Sequence, residues 1–197
     1  MKKLILFSFI AIFLYNCTQK SQNFSSEQTQ IISSGDTLEP MRVFTIANRS
    51  DSLLLRSISK NIVPEEDDKI LHILIKRMYA TVQDSASKGV GIAAPQIGIL
   101  KNLIWVQRFD KEGEPFEYYL NPQITQYSDL KQDCREGCLS VPVIKDTTHT
   151  RSYTILLEYD KIDKSHHIEM IEGFTAVIFQ HEIDHLNGIL FLDKLEE

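Results

Sequence analysis

Gln180 to Gly188 read QHEIDHLNG, two histidines four residues apart with a glutamate beside the first. On an α-helix, positions four apart lie on one face, one turn above the other. His181 and His185 can therefore offer both imidazoles to a single ion. Glu182 projects about 100° further around the axis. From there it flanks such an ion and reaches a nearby water without being a ligand. Two histidines to hold a metal and a glutamate to handle a proton are the logic of metal-activated hydrolysis. A catalytic metal usually has three protein ligands and one open position. No histidine follows His185, so the third ligand lies upstream. His149, His166, His167, Cys134, Cys138 and numerous carboxylates are all open at this point.

The helix that would carry these residues runs from about Phe174 to Asn187, with Gly173 before it and Gly188 as its C-terminal stop. The run ILFL after it (189–192) predicts a short closing strand. Further back, Pro64 opens a second helix, with Glu65, Glu66, Asp67 and Asp68 at the positive end of its dipole. Leu71, Leu74, Ile75, Met78 and Val82 follow at helical spacing and give it one apolar face. NLIWVQRF (102–109) and DKEGEPFEYYL (110–120) read as a hairpin turning at Gly113. Asn121-Pro122 predicts a break before QITQY (123–127). SYTILLEYD (152–160) and HHIEMI (166–171) read as strands. Strands follow one another rather than alternate with helices. The fold class is α+β, with mostly antiparallel sheets packed around a central C-terminal helix that carries HExxH.

The whole chain has 197 residues, one domain and some surplus. Its net charge of −6 disfavours phosphate backbones, so nucleic acid is not an expected partner. Three cysteines, Cys17, Cys134 and Cys138, are too few for a disulfide scaffold. Residues 1–17, MKKLILFSFIAIFLYNC, have a basic start and an apolar run of Leu4 to Tyr15. That run is shorter than the about 20 residues a spanning helix needs, and the order is that of a secretory signal. Its closing Cys17 resembles the lipidated cysteine of bacterial lipoproteins, although Tyr15 and Asn16 are larger than the small residues usual before it. The expectation is export and a membrane tether through a lipidated Cys17, with a cytoplasmic location as the alternative if the signal is not processed. Residues 18–40 read as a flexible polar tether, and the catalytic domain as 41–197.

Three stretches together resemble the signature motifs of the peptide deformylases: GVGIAAPQIG (Gly89 to Gly98), REGCLSVP (Arg135 to Pro142) and QHEIDHLNGILF (Gln180 to Phe191). They occur in the family's order. DSLLLRSIS (51–59) and RSYTILLEYD (151–160) extend the likeness to roughly Met41 onward. The resemblance implies Cys138 as the third ligand, completing a metal set with His181 and His185. It implies one divalent ion, Fe²⁺ first, with Zn²⁺, Ni²⁺ or Co²⁺ also suited to these donors. It implies an N-formylmethionyl peptide as substrate and Glu182 as the proton carrier. Gln96, through its side-chain amide, and Leu139, through its backbone N–H, would bind the developing oxyanion. Gly91 would touch the peptide backbone. Val90, with Phe174, Val177 and Ile178 of the metal helix, would wall the methionine pocket. Arg135 and Glu136 read either as supports behind the metal ligands or as surface residues, a structural salt bridge explaining them as well as any direct role. Lys145 stands near a place where the family often has an arginine that binds peptide, but the spacing to Arg151 is altered by a residue. Cys134 reads as a small buried residue or as a second thiol near the site, which in an oxidising compartment could form a disulfide with Cys138. Two alternatives compete: an exported lipoprotein that binds formylated peptides without catalysis, and a metalloprotease that cuts internal bonds. An intact Glu182 argues against the first, and the Cys138 context against the second.

Overall fold

A computed structural model of the chain describes residues 23–84 and 89–195. The expected signal peptide, Cys17 included, lies outside the described residues. In chain order the helices are α1 (Ser26–Ile32), α2 (Arg49–Leu55), α3 (Lys69–Gln83) and α4 (Gly173–Leu186). The strands are β1 (Gly91–Ala93), β2 (Leu103–Gln107), β3 (Phe116–Tyr127), β4 (Lys131–Cys138), β5 (Val141–Ser152), β6 (Thr154–Asp160) and β7 (His166–Glu172). Five of them form one sheet in the order β1-β2-β3-β6-β7, and β4 pairs with β5 as a separate two-stranded hairpin. All these pairings are antiparallel.

The β1–β2 end of the large sheet and the adjoining part of β3 are buried on both faces, whereas Ile168 and Met170 of β7 are exposed. Period-2 alternation sorts the buried side chains between two cores. Ile92, Leu103 and Leu120 point to the side of α3, where they meet Leu71, Leu74 and Met78. Ala93, Ile104, Val106 and Tyr119 point the other way and meet Ala176, Phe179 and Ile183 of α4. The apolar stripe read on α3 is thus core, and α4 is enclosed on the opposite face of the sheet. Gly188, at φ 72°, ends α4 after the cap residue Asn187.

Four expectations are corrected. The tether over 18–40 fails from Asn23 onward. Asn23 exchanges two hydrogen bonds with the Val63 backbone (2.7 and 3.0 Å). Phe24 and Ile32 are buried in the core beside α3. Arg77 of α3 donates to the carbonyls of Ile31, Ile32 and Glu39, holding the end of α1 and the chain beyond it. Two apolar residues within a polar stretch suffice to dock it. The second helix starts at Lys69, not Pro64, because Asp68 supplies the N-cap through its side chain. Asn121-Pro122 does not break β3. The strand runs through with Asn121 at φ 49° and a one-residue register shift against β6. A bulge is where a residue without an N–H can sit in a strand. ILFL is not a strand: Leu190 caps a 3₁₀ turn over Phe191–Lys194 and packs with Phe191 and Val141.

Candidate active site

α4 carries His181 and His185 one turn apart, with their rings 5.0 Å between centroids. Cys138 ends β4, and the turn at Leu139 and Ser140 leads straight into β5. That turn brings the thiol over α4. Sγ of Cys138 lies 3.1 Å from Nε2 of His185. One donor atom each from Cys138, His181 and His185 falls within 4.8 Å of the others. The hairpin β4–β5 thus delivers the third donor that the helix alone cannot supply.

The second layer fixes the first. Nδ1 of His181 is 2.7 Å from Oε2 of Glu136, which leaves Nε2 for an ion. Glu136 is itself buried and receives two bonds from Arg151, at 2.8 and 2.9 Å. It accepts a further one from Thr148. Arg151 also reaches Asp184, one residue before His185, at 2.6 Å. Burial alone would raise the Glu136 carboxyl, but the bonds from His181 and Arg151 hold it down at about 2. Glu136 therefore stays an acceptor. Burial would raise the Cys138 thiol too, yet the charges and hydrogen bonds of His185 and His181 outweigh it and hold Cys138 well below its ordinary value. A thiolate beside two imidazoles is the form a divalent transition ion binds.

Glu182 faces the same space. Burial pushes its carboxyl up to about 7, against the opposing pull of His181 and His185. Its Oε2 is buried without a hydrogen-bond partner among the described residues. A carboxylate held near neutrality with a vacant lone pair suits proton transfer. Gln96 sits in the 3₁₀ turn after β1, its Oε1 accepting the Ala93 N–H at 2.8 Å. That bond turns its amide nitrogen toward Sγ of Cys138 (3.6 Å) and Oγ of Ser140 (3.3 Å). Gly91 comes so close to α4 that a Cβ there would lie 2.5 Å from Oε1 of Glu182.

A cavity of about 530 Å³ opens beside this cluster. Val90, Gly91, Gln96, Leu139, Phe174, Val177, Ile178 and Glu182 line it, with Cys138 and His181. His185 lies beneath, almost fully buried. All residues expected at the site are thus brought together. Gly89, Cys134, Arg135, Glu136, Gly137 and Lys145 complete the lining. Alternation along β4 places Cys134 on the face that carries Glu136 and Cys138, a signal visible only once the stretch is known to be a strand. The disulfide reading for Cys134 fails. Four residues apart on a strand put the two Cα atoms about 13 Å apart, beyond the roughly 7 Å that a disulfide tolerates. Of the two readings for Glu136 the supporting one describes its place, buried behind His181 and ion-paired with Arg151, whereas Arg135 is exposed.

A HExxH helix, a cysteine from a neighbouring hairpin and a buried glutamate beside an apolar cavity are the parts of a metal-binding hydrolase centre. Comparison with known proteins gives the family. Residues 43–197 match the family described as polypeptide deformylase. A peptide deformylase of Brachyspira hyodysenteriae is 42% identical over 146 residues, covering 72% of this chain and 75% of the relative. One from Leptospira biflexa is 36% identical over 151 residues, covering 73% and 83%. Among solved structures, the actinonin-bound class I type b peptide deformylase of Acinetobacter baumannii aligns with a TM-score of 0.69 at 31% identity, over 79% of this chain and 98% of that one. The enzyme from Thermotoga maritima aligns with a TM-score of 0.68 at 31% identity, over 79% and 97%. The chain belongs to the peptide deformylase family and is an enzyme of that class, a hydrolase. Membership implies a divalent metal, and the Cys–His–His cluster fits one.

Proposed function

We propose that the chain hydrolyses the N-formyl group from N-formylmethionyl peptides, releasing formate and a free amine. The convergence of Cys138, His181 and His185 beside the unpartnered Glu182 carboxylate carries this reading. Cys138, His181 and His185 would hold the ion, Fe²⁺ by family habit. Bound there, it would supply the Lewis acidity that lets water attack a formamide near neutral pH.

The chain's own groups do the rest. Glu182 takes the proton from the attacking water and delivers it to the departing amine. Gln96 donates its side-chain N–H, and Leu139 its backbone N–H, to the oxygen on which negative charge develops. Each such donor lowers the barrier by about 3 kcal/mol. Glu136, anchored by Arg151, keeps the His181 ring in one orientation. Val90, Phe174, Val177 and Ile178 surround the methionine side chain, and the β1 backbone at Gly91 pairs with the peptide as an added strand. A related protein from Acinetobacter baumannii has been captured with Met-Ala-Ser bound, a product of this kind.

The test is formate release from formyl-Met-Ala with Fe²⁺ or Ni²⁺ supplied, and casein as a parallel substrate. Formate from the first and no cleavage of the second support the reading. Binding of formyl-Met-Ala with no formate would favour a binding lipoprotein instead. We also propose that the enzyme is exported and tethered through Cys17, on the strength of the basic, apolar and cysteine order of residues 1–17. Unprocessed protein confined to the cytosol on fractionation would overturn that.

A further inference from the structure

The β4–β5 hairpin carries an irregularity that the metal site does not require. The hairpin closes with Cys138 opposite Val141, yet the next pair is Gly137 opposite Lys145. A regular antiparallel pair would set Pro142 opposite Gly137. Pro142, Val143 and Ile144 are instead extruded. Val143 sits at φ 75° with its side chain wholly in solvent. A β-branched residue at positive φ is strained by about 1–2 kcal/mol, and burial returns nothing here. What the extrusion does is put Lys145 where Pro142 would be. Its stem lies on Gly137, where a Cβ would meet Cγ, Cδ and Cε at 3.1–3.4 Å. Arg135 follows two residues along β4, and both cations line the cavity.

Neither side chain has a hydrogen-bond or ion-pair partner among the described residues. The acids nearby do not neutralise them. Glu136 is taken up by Arg151 and His181, and Glu182 lies on the cavity floor. The exposed Asp146 accepts the Thr147 N–H and makes no ion pair. Two unpaired cations at one cavity mouth stand out on a chain of net charge −6. A peptide whose formyl end reaches Glu182 shares the cavity with these two exposed cations.

We propose that Arg135 and Lys145 form an anion-selecting rim that favours formyl peptides bearing a carboxylate beyond the first residue, from an acidic side chain or a free chain end. The inference rests on the deformylase reading and goes beyond it by naming the substrate class. Exposed pairs of this kind are modest, so each cation contributes about two- to fivefold.

The experiment compares kcat and KM on formyl-Met-Ala-Ser amide, its free acid, formyl-Met-Ala-Asp amide and formyl-Met-Ala-Lys amide. Either acidic peptide should exceed the neutral amide by roughly three- to tenfold in kcat/KM, through KM rather than kcat. In 0.5 M salt the preference should shrink. R135Q and K145Q should each lower the ratio, and R135E/K145E should turn the preference toward the lysine peptide. A gain for the free acid alone assigns the chain end, and a gain for the aspartyl amide alone assigns the side chain. Equal kcat/KM on all four peptides, or a preference that survives charge reversal, overturns the rim. No turnover of any peptide counts against the deformylase reading instead. Calorimetric affinities for the same four then decide the rim on the same ratios.

Discussion

Replacing Gly91 by alanine perturbs the site through one methyl group. Gly91 pairs with Val106 in ordinary strand register. It is absent from the glycines at positive φ, so alanine's backbone fits. The added Cβ would lie 2.5 Å from Oε1 of Glu182 and 2.9 Å from Cγ2 of Ile178. Ordinary contact between heavy atoms needs about 3.5 Å, so Glu182 must retreat by roughly 1 Å. A misplacement of that size costs roughly 100-fold in rate, or about 2.7 kcal/mol of barrier. Overpacking costs about 1–3 kcal/mol of stability. The stiffer unfolded chain returns about 0.4–1 kcal/mol of that. A net loss near 1–2 kcal/mol lowers Tm by roughly 2–8 °C in a domain of this size. Formate release from formyl-Met-Ala, with kcat and KM fitted separately, is the assay. The fall should be in kcat, because Glu182 acts in the reaction and not in binding. Wild-type kcat with only KM raised would refute the argument and leave Gly91 as a backbone contact for peptide alone.

Arg151→Met leaves Glu136 and Asp184 without their buried partner, at a cost of about 3–5 kcal/mol. It also frees the His181 ring, so metal affinity should fall about 10- to 100-fold. Thermal melting and metal titration check both, and unchanged metal affinity would contradict the role given to Glu136. A truncation beginning at Met41 removes the buried Phe24 and Ile32. At about 1.5–3 kcal/mol each, its Tm should fall clearly below that of a truncation beginning at Asn23, and equal values would show that the segment is not docked. His166 donates to Asp160, and that bond raises its pKa above the ordinary value. Its contribution to stability is then complete below about pH 6.5 and is lost as pH rises through the raised value. An NMR titration should show the upward shift in the wild type and a smaller one in Asp160→Asn, where only Glu158 still raises it.

What the sequence disclosed followed how local each cause is. HExxH needs only a helix to put two rings on one face, and the apolar stripe of α3 needs only its period. The two cores split by the sheet are written in the alternation of Leu103, Ile104 and their neighbours, although NLIWVQRF read as little more than a strand. The β4–β5 hairpin stayed hidden because KQDCREGC faces solvent for much of its length and shows no apolar alternation. Docking of residues 23–40 stayed hidden because Phe24 and Ile32 are diluted by polar neighbours. Motif likeness placed Glu136 near the site, but its burial and its bond to Arg151, fifteen residues away, exist only in tertiary structure. The need for glycine at position 91 has the same origin, since the atom it avoids belongs to α4.

X-ray absorption at the zinc edge of the zinc-loaded protein tests the central claim most directly. Cys138, His181 and His185 acting as ligands would give one sulfur at about 2.3 Å and two nitrogens at about 2.0–2.1 Å, with the sulfur shell lost in Cys138→Ser. A metal shell without sulfur in the unaltered protein would contradict the account.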